Sequence, residues 1–203
     1  MLSSFPGFIG IGRESLIMVT IGALWMPILV SAILVFIASF LAWVVLPHHK
    51  SDWKQLPDED AVREALNKEK LEPGQYIVPY ASDQKATQTE DYLGKCSQGP
   101  VGILTMREPG PPTMGKPIAM SFVYYVAVSM AVAYVTGRTL APGAEYLRVF
   151  QIAGTVAMLA YGGAFSQAAI WFGRPWGPTL KEVGDAIVYG LLTAGAFGWL
   201  WPQ

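Results

Sequence analysis

Apolar residues fall in long blocks along this chain, with one extended polar interval between the first block and the rest. The clearest pattern is in the last third. Residues 149–172 are almost all apolar or small, and residues 183–201 repeat this apart from Asp185. Each run approaches the roughly 20 residues that cross about 30 Å of hydrocarbon at 1.5 Å per residue. The interval Gly173, Arg174, Pro175, Trp176, Gly177, Pro178 has room only for a reversal, so the pattern predicts a helical hairpin over 149–201. Antiparallel helices in lipid associate by close van der Waals fit. Ala160, Ala164 and Ala168 recur at every fourth position on the first helix, as do Ala186, Gly190, Ala194 and Gly198 on the second. Such spacing makes one smooth stripe per helix. Either stripe suits the hairpin partner or another subunit.

Earlier in the chain, Met1–Arg13 is apolar and broken by Pro6, Gly7, Gly10 and Gly12, as expected of an interfacial or docked segment. An apolar run follows from Leu16 to Leu46, longer than a bilayer core. Part of it is expected to tilt, to kink at Pro27 or to lie along the interface. The span itself is placed at about 22–46. Pro47, His48, His49 and Lys50 end it. Residues 47–117 then form a polar interval in which Asp58 caps a helix to about Lys70, stopped by Pro73 and Gly74. Residues 75–80 and 101–106 read as short strands, and 81–98 as a polar loop. Ile118–Thr136 is a further span, ended by Gly137 and Arg138.

The expected fold is therefore an all-α integral membrane protein. It has four transmembrane helices and a small α+β extramembrane loop domain between helices 1 and 2. The divisions are 1–46 for the N-terminal segment and first span, 47–117 for the loop domain, and 118–203 for the last three spans. Positive residues near the span ends set orientation. Lys50, Lys54, Lys116, Arg174 and Lys181 flank the long-loop side, and Arg13, Arg138 and Arg148 the other. This bias puts the loop in the cytoplasm and both termini outside.

Composition narrows the chemistry. More than half of the residues are apolar and the net charge is −1, which argues against a soluble domain and against nucleic-acid binding. A single cysteine, Cys96, excludes an intrachain disulfide framework and a multi-cysteine metal site supplied by this chain alone. Lys95 beside it could raise the reactivity of an otherwise ordinary thiol.

Candidate polar sites are few. Asp185 is the one carboxylate inside an apolar run, where a proton or cation relay would use it. Its position in the first turn of a helix, within reach of Arg174 or Lys181, favours an ordinary ion pair instead. Gln167, with Gln151 and Ser166, fits interhelical hydrogen bonding or a polar path. His48 and His49 could ligate a metal, haem or chlorophyll at the membrane surface. Adjacent side chains diverge in regular structure, so the expected role is a polar interfacial stop, with no metal or cofactor required. Trp171, Trp176, Trp199 and Trp201 fall where aromatic residues anchor helices at the interface.

The strings HHKSDW (48–53), LPDEDAV (56–62), LEPGQYIVP (71–79), IWFGRPW (170–176) and FGWLWP (197–202) resemble those of small, uncharacterised multi-pass membrane proteins of bacteria. The resemblance covers most of the chain after residue 47. It implies a bacterial inner-membrane setting and carries no activity, cofactor or site.

The function expected from these features is a non-catalytic accessory or structural subunit of a larger membrane complex, respiratory or photosynthetic. Its partners would be the bilayer and other membrane subunits, with lipid or pigment able to fill grooves between helices. The alternative is a small homo-oligomeric transporter or channel using Asp185.

Overall fold

The structure is a computed structural model, and it describes residues 18–203. The expected N-terminal interfacial segment, and Arg13 with it, lie outside the described residues. The described residues are mostly helical, and among them three helices are long and apolar enough to cross a membrane: Ile21–Val45, Gly115–Thr139 and Tyr146–Phe172.

The first of these starts as a 3-10 turn, Ile21–Leu24, whose Ala23 N–H is accepted by the Thr20 hydroxyl. It continues as α1 (Trp25–Phe40) and ends in a wide turn, Leu41–Val45, closed by the Leu46 N–H on the Leu41 carbonyl at 2.8 Å. Pro27 falls in the first turn of α1, where a missing N–H costs least, so the α-helix begins near the proline instead of kinking in its middle.

The polar interval holds α2 (Glu59–Lys68), β1 (Gly74–Val78), α3 (Glu90–Gln98) and β2 (Gly102–Met106). Asp58 caps α2 by accepting the Ala61 N–H at 3.0 Å. The strands pair antiparallel with Tyr76 opposite Leu104. Within the expected loop 81–98 the structure instead forms a 3-10 turn, Ala86–Gln88, and then α3. The cause is a start signal: the Thr89 hydroxyl accepts the Tyr92 N–H, and Glu90 and Asp91 favour the positive end of the helix.

After α4 (Gly115–Thr139) the hairpin region comprises α5 (Tyr146–Gly162), α6 (Phe165–Phe172) and α7 (Trp176–Trp199). Two boundaries differ from expectation. The third helix is interrupted after Gly162, where the adjacent Gly163 lowers the cost of leaving helical geometry. The reversal is shorter than 173–178, because Pro178 is accepted in the first turn of α7. Gly173 ends α6 in the left-handed region at φ +66°, which a side chain would disfavour.

The residues group into two compact units. One takes the described residues up to Ala38 with Phe122–Tyr161 and Ile187–Gln203. Its centre includes Leu24, Val35, Val132, Val149 and Phe197, all fully buried. Here the predicted small-residue stripe of α7 lies against α5. A Cβ on Gly154 would stand 3.1 Å from that of Ala194, one on Gly190 would collide with Met158, and one on Gly198 would come within 2.7 Å of Tyr146. The Trp201 indole N–H donates to the Ala141 carbonyl at 3.0 Å and the Gly143 N–H to the Pro202 carbonyl at 2.8 Å. Trp201 is thus a buried clasp, unlike the exposed Trp171, Trp176 and Trp199.

The other unit takes Ser39–Ser121 and Gly162–Ala186. Within it a Cβ on Gly162 would be 2.9 Å from that of Ala186. The α7 stripe therefore meets Gly154, Met158 and Gly162, two residues out of phase with the stripe expected from alanine spacing. Ala160 and Ala164 are exposed and Ala168 is half-buried.

Candidate functional site

Chemistry-bearing side chains of the second unit converge at the segment just after the first apolar helix. Pro47 cannot continue that helix and holds Leu46 extended, at φ −77° and ψ 142°. The chain then makes a 3-10 turn over Pro47–Asp52. Side chains three apart eclipse in such a turn, so His49 and Asp52 lie one above the other, separated by about 6 Å of rise. On α7, Lys181 and Asp185 stand four apart on one face, also separated by about 6 Å. The two segments present opposite charges at matching intervals.

They interlock accordingly. Asp52 accepts from Lys181 Nζ at 2.5 Å through Oδ1 and faces His49 Nδ1 at 2.6 Å through Oδ2. Asp185 faces His49 Nε2 at 2.7 Å through Oδ2 and His48 Nε2 at 3.3 Å through Oδ1. Lys181 also donates to the His48 carbonyl at 2.5 Å and the Ser51 hydroxyl at 2.8 Å, which fixes the backbone of the turn. Trp43 stacks on the His49 ring, with centroids 3.9 Å apart and planes within 4°.

Both His49 nitrogens face carboxylate oxygens, and both bonds are satisfied only by the doubly protonated ring. Burial alone would lower the imidazole pKa. The hydrogen bonds and charges of Asp52 and Asp185 outweigh it and hold the pKa above the ordinary 6.5. The hydrogen bond from Lys181, then that from His49, holds the Asp52 carboxyl below its ordinary value. Protonated His49 and Lys181 thus face two carboxylates, those of Asp52 and Asp185.

A second pair lies on the adjoining face of α7. Arg174 grips buried Glu182 with both arms, at 2.6 Å to Oε2 and 2.5 Å to Oε1. This bidentate geometry is the strongest form of such a contact.

The sequence-based candidates are thus redistributed. Asp185 is paired with His48 and His49, whereas Arg174 and Lys181, the cations expected beside it, bind Glu182 and Asp52. The histidines, expected to diverge, converge on one carboxylate because the 3-10 turn breaks regular geometry. Gln167 is exposed on α6. Lys95 pairs with Asp91 at 2.6 Å, while Cys96 hydrogen-bonds Tyr92 and so raises the phenol pKa. Asp52, Ser51 and Glu182 were not singled out by sequence reasoning. The available signal was the three-residue spacing of His49 and Asp52 after a proline, read against the four-residue spacing of Lys181 and Asp185.

Chemically, the network forms an alternating series of proton donors and acceptors, His48, Asp185, His49, Asp52 and Lys181. It also gathers nitrogen and oxygen ligands: one donor atom each from His48, His49 and Asp185 lie within 4.8 Å of one another. Neither a family model, nor a curated protein, nor a solved structure matches the chain.

Proposed function

We propose that this chain crosses a bacterial cytoplasmic membrane four times and serves as a non-catalytic accessory subunit of a larger membrane complex, respiratory or photosynthetic in setting. The observation that supports association is the placement of small residues. The stripe on α7 is occupied by contacts with Gly154, Met158 and Gly162 of α5, whereas Ala160 and Ala164 remain exposed. Small side chains left uncovered at an apolar surface allow a helix of another subunit to approach closely. The other subunits and the bilayer are the partners in this reading, and the long loop faces the cytoplasm.

The fourth crossing is α7. Its apolar part after Asp185 covers only about 21 Å, short of the roughly 30 Å hydrocarbon core. Pairing Lys181 and Asp185 with Asp52 and His49 lowers the cost of placing the charged second and third turns of α7 at the membrane boundary. The entire helix, about 36 Å long, then becomes available to cross.

The test is gentle solubilisation of tagged protein followed by native electrophoresis and mass spectrometry. The reading expects a defined large assembly with named neighbours in fixed stoichiometry. A lone homogeneous species would overturn it. The transporter alternative draws on the donor and acceptor series through Asp185. It expects Asp185→Asn to abolish flux in proteoliposomes, and unchanged flux would remove that residue from the path.

A further inference from the structure

We propose that His48, His49 and Asp185 form a binding site for one divalent transition-metal ion of the zinc type, with Asp52 as the outer carboxylate that orients His49. This goes beyond the accessory role and does not depend on it.

The geometry supports the assignment in three ways. First, two imidazole nitrogens and a carboxylate make a donor set suited to zinc, cobalt or nickel, with a fourth position left for water or another ligand. Bonds of about 2.0–2.1 Å in a tetrahedral arrangement separate ligand atoms by roughly 3.3 Å. His48 Nε2 and Asp185 Oδ1 already stand 3.3 Å apart. His49 Nε2 faces the other carboxylate oxygen, Oδ2, at 2.7 Å, so the Asp185 carboxyl has to turn and that contact to open by about 0.6 Å before one oxygen and both nitrogens surround a single ion.

Second, the outer shell is in place. A metal-binding histidine usually donates its other ring N–H to a carboxylate, which fixes the ring and its tautomer. His49 Nδ1 meets Asp52 Oδ2 at 2.6 Å, and Asp52 is itself held by Lys181 at 2.5 Å. Lys181 is also bonded to the His48 carbonyl and the Ser51 hydroxyl, so the backbone carrying both histidines is held before any ion arrives.

Third, access and charge are compatible. His48 keeps a third of its side chain exposed while His49 is buried, which leaves a route to the ligand atoms. On binding, the ion replaces the proton at His49 Nε2, which leaves to solvent, and Nδ1 keeps its proton toward Asp52. His48 binds as the tautomer with its ring proton on Nδ1, so its Nε2–H contact to Asp185 Oδ1 gives way to an Nε2 lone pair on the ion, and the Asp185 carboxylate offsets part of the ion's charge.

The experiment uses the full chain in detergent micelles, purified through a histidine-free tag, stripped with chelator and then loaded with zinc or cobalt. Elemental analysis should find one zinc ion per chain. Cobalt should give the intense visible bands of a four-coordinate N/O site. His48→Ala should weaken binding by more than the roughly 10- to 100-fold that loss of an outer-shell partner costs, and should abolish the cobalt bands. That variant removes a part-exposed ring whose contacts are a 3.3 Å approach to Asp185 and the neighbouring His49 ring, so it tests the site even if Asp185→Asn fails to fold. Uptake below a tenth of an ion per chain, or equal affinity in wild type and His48→Ala, would overturn the proposal.

Discussion

The two units of this protein hold their buried polar groups in opposite ways. In the first, Ser31, Ser129, Thr136 and Thr193 are fully buried and neutral. Thr136 and Thr193 return their hydroxyls to carbonyls four residues back, at 2.5 and 2.9 Å, and Ser31 bonds the Ile28 carbonyl at 3.1 Å and Ser129 at 2.9 Å. In the second unit Thr179 does the same with the Pro175 carbonyl at 3.0 Å, but the other buried groups are charged, and most find their partners on another segment: His49 and Asp52 with Asp185 and Lys181. A hydroxyl can be satisfied by its own helix, so it fits at any depth and fixes little. A charge needs an opposite charge from elsewhere, so it specifies which segments meet and in what register.

The largest effect should come from breaking the charged set. Asp185→Ala leaves protonated His49 with one carboxylate in place of two. Removing one partner of a buried pair costs about 3–5 kcal/mol, and the slight exposure of Asp185 places this case near 3 kcal/mol. Equilibrium unfolding of the chelator-treated protein in micelles would measure it. A loss no larger than the ~1 kcal/mol of a typical hydroxyl hydrogen bond would erase the distinction between the units.

Acidity should separate the units next, by no more than the loss of that same pair. The His49 pKa is raised, so its stabilising effect is complete below the ordinary 6.5 and is lost as pH rises through the folded value. The Asp52 pKa is lowered, so its effect is complete above the ordinary 3.8 and is lost as pH falls through the folded value. Metal-free protein should be most stable between these limits, and His49→Gln should flatten the alkaline decline. An unchanged alkaline decline in His49→Gln would show that other groups cause it.

Packing in the first unit should respond to size and ignore pH. A Cβ on Gly190 would run into Met158, whereas one on Gly195 meets nothing closer than the Tyr146 hydroxyl at 4.0 Å. Gly190→Ala should cost about 1–3 kcal/mol by overpacking, equally at acid and neutral pH. Gly195→Ala should be neutral or slightly stabilising, because alanine is the better helix former. Equal effects of the two substitutions in unfolding measurements would deny the close approach of α7 to α5.

How much of this was legible in the chain depends on whether the signal was local. The apolar runs, the Asp58 cap and the strands near 75–80 and 101–106 are written in neighbouring residues, and the described elements fall close to them. Helix α3 was also locally signalled by Thr89, Glu90 and Asp91, but polarity over 81–98 obscured it. The phase of the α5 stripe could not be read from alanine spacing, since Gly154 and Gly162 admit closer approach than Ala160 or Ala164. The ion cluster was the least legible. His49 and Asp185 are separated by 136 residues, and only an irregular turn after Pro47 aims both histidines at one carboxylate. Arg174, Lys181 and Asp185 were all visible as charges, yet their pairing depends on Asp52 and Glu182, whose spacing carries meaning only beside a second segment.

The smallest expected effect lies in the neutral set. Ser129→Ala removes the acceptor of the Ser31 hydrogen bond and leaves the Ser31 hydroxyl bonded to the Ile28 carbonyl, so that donor keeps a partner. The cost should be about 0.5–1.5 kcal/mol. Ser31→Ala takes away the donor and leaves the Ser129 hydroxyl to find another partner, so it should cost at least as much. The double substitution should cost less than the two singles added together, because the shared bond can be lost only once. None of these values should vary between pH 5 and pH 8, where neither hydroxyl titrates. Full additivity would mean that the serines act through separate contacts. A clear pH dependence would mean that the first unit feels ionisation after all, and the division between neutral and charged burial would then fail where it is easiest to measure.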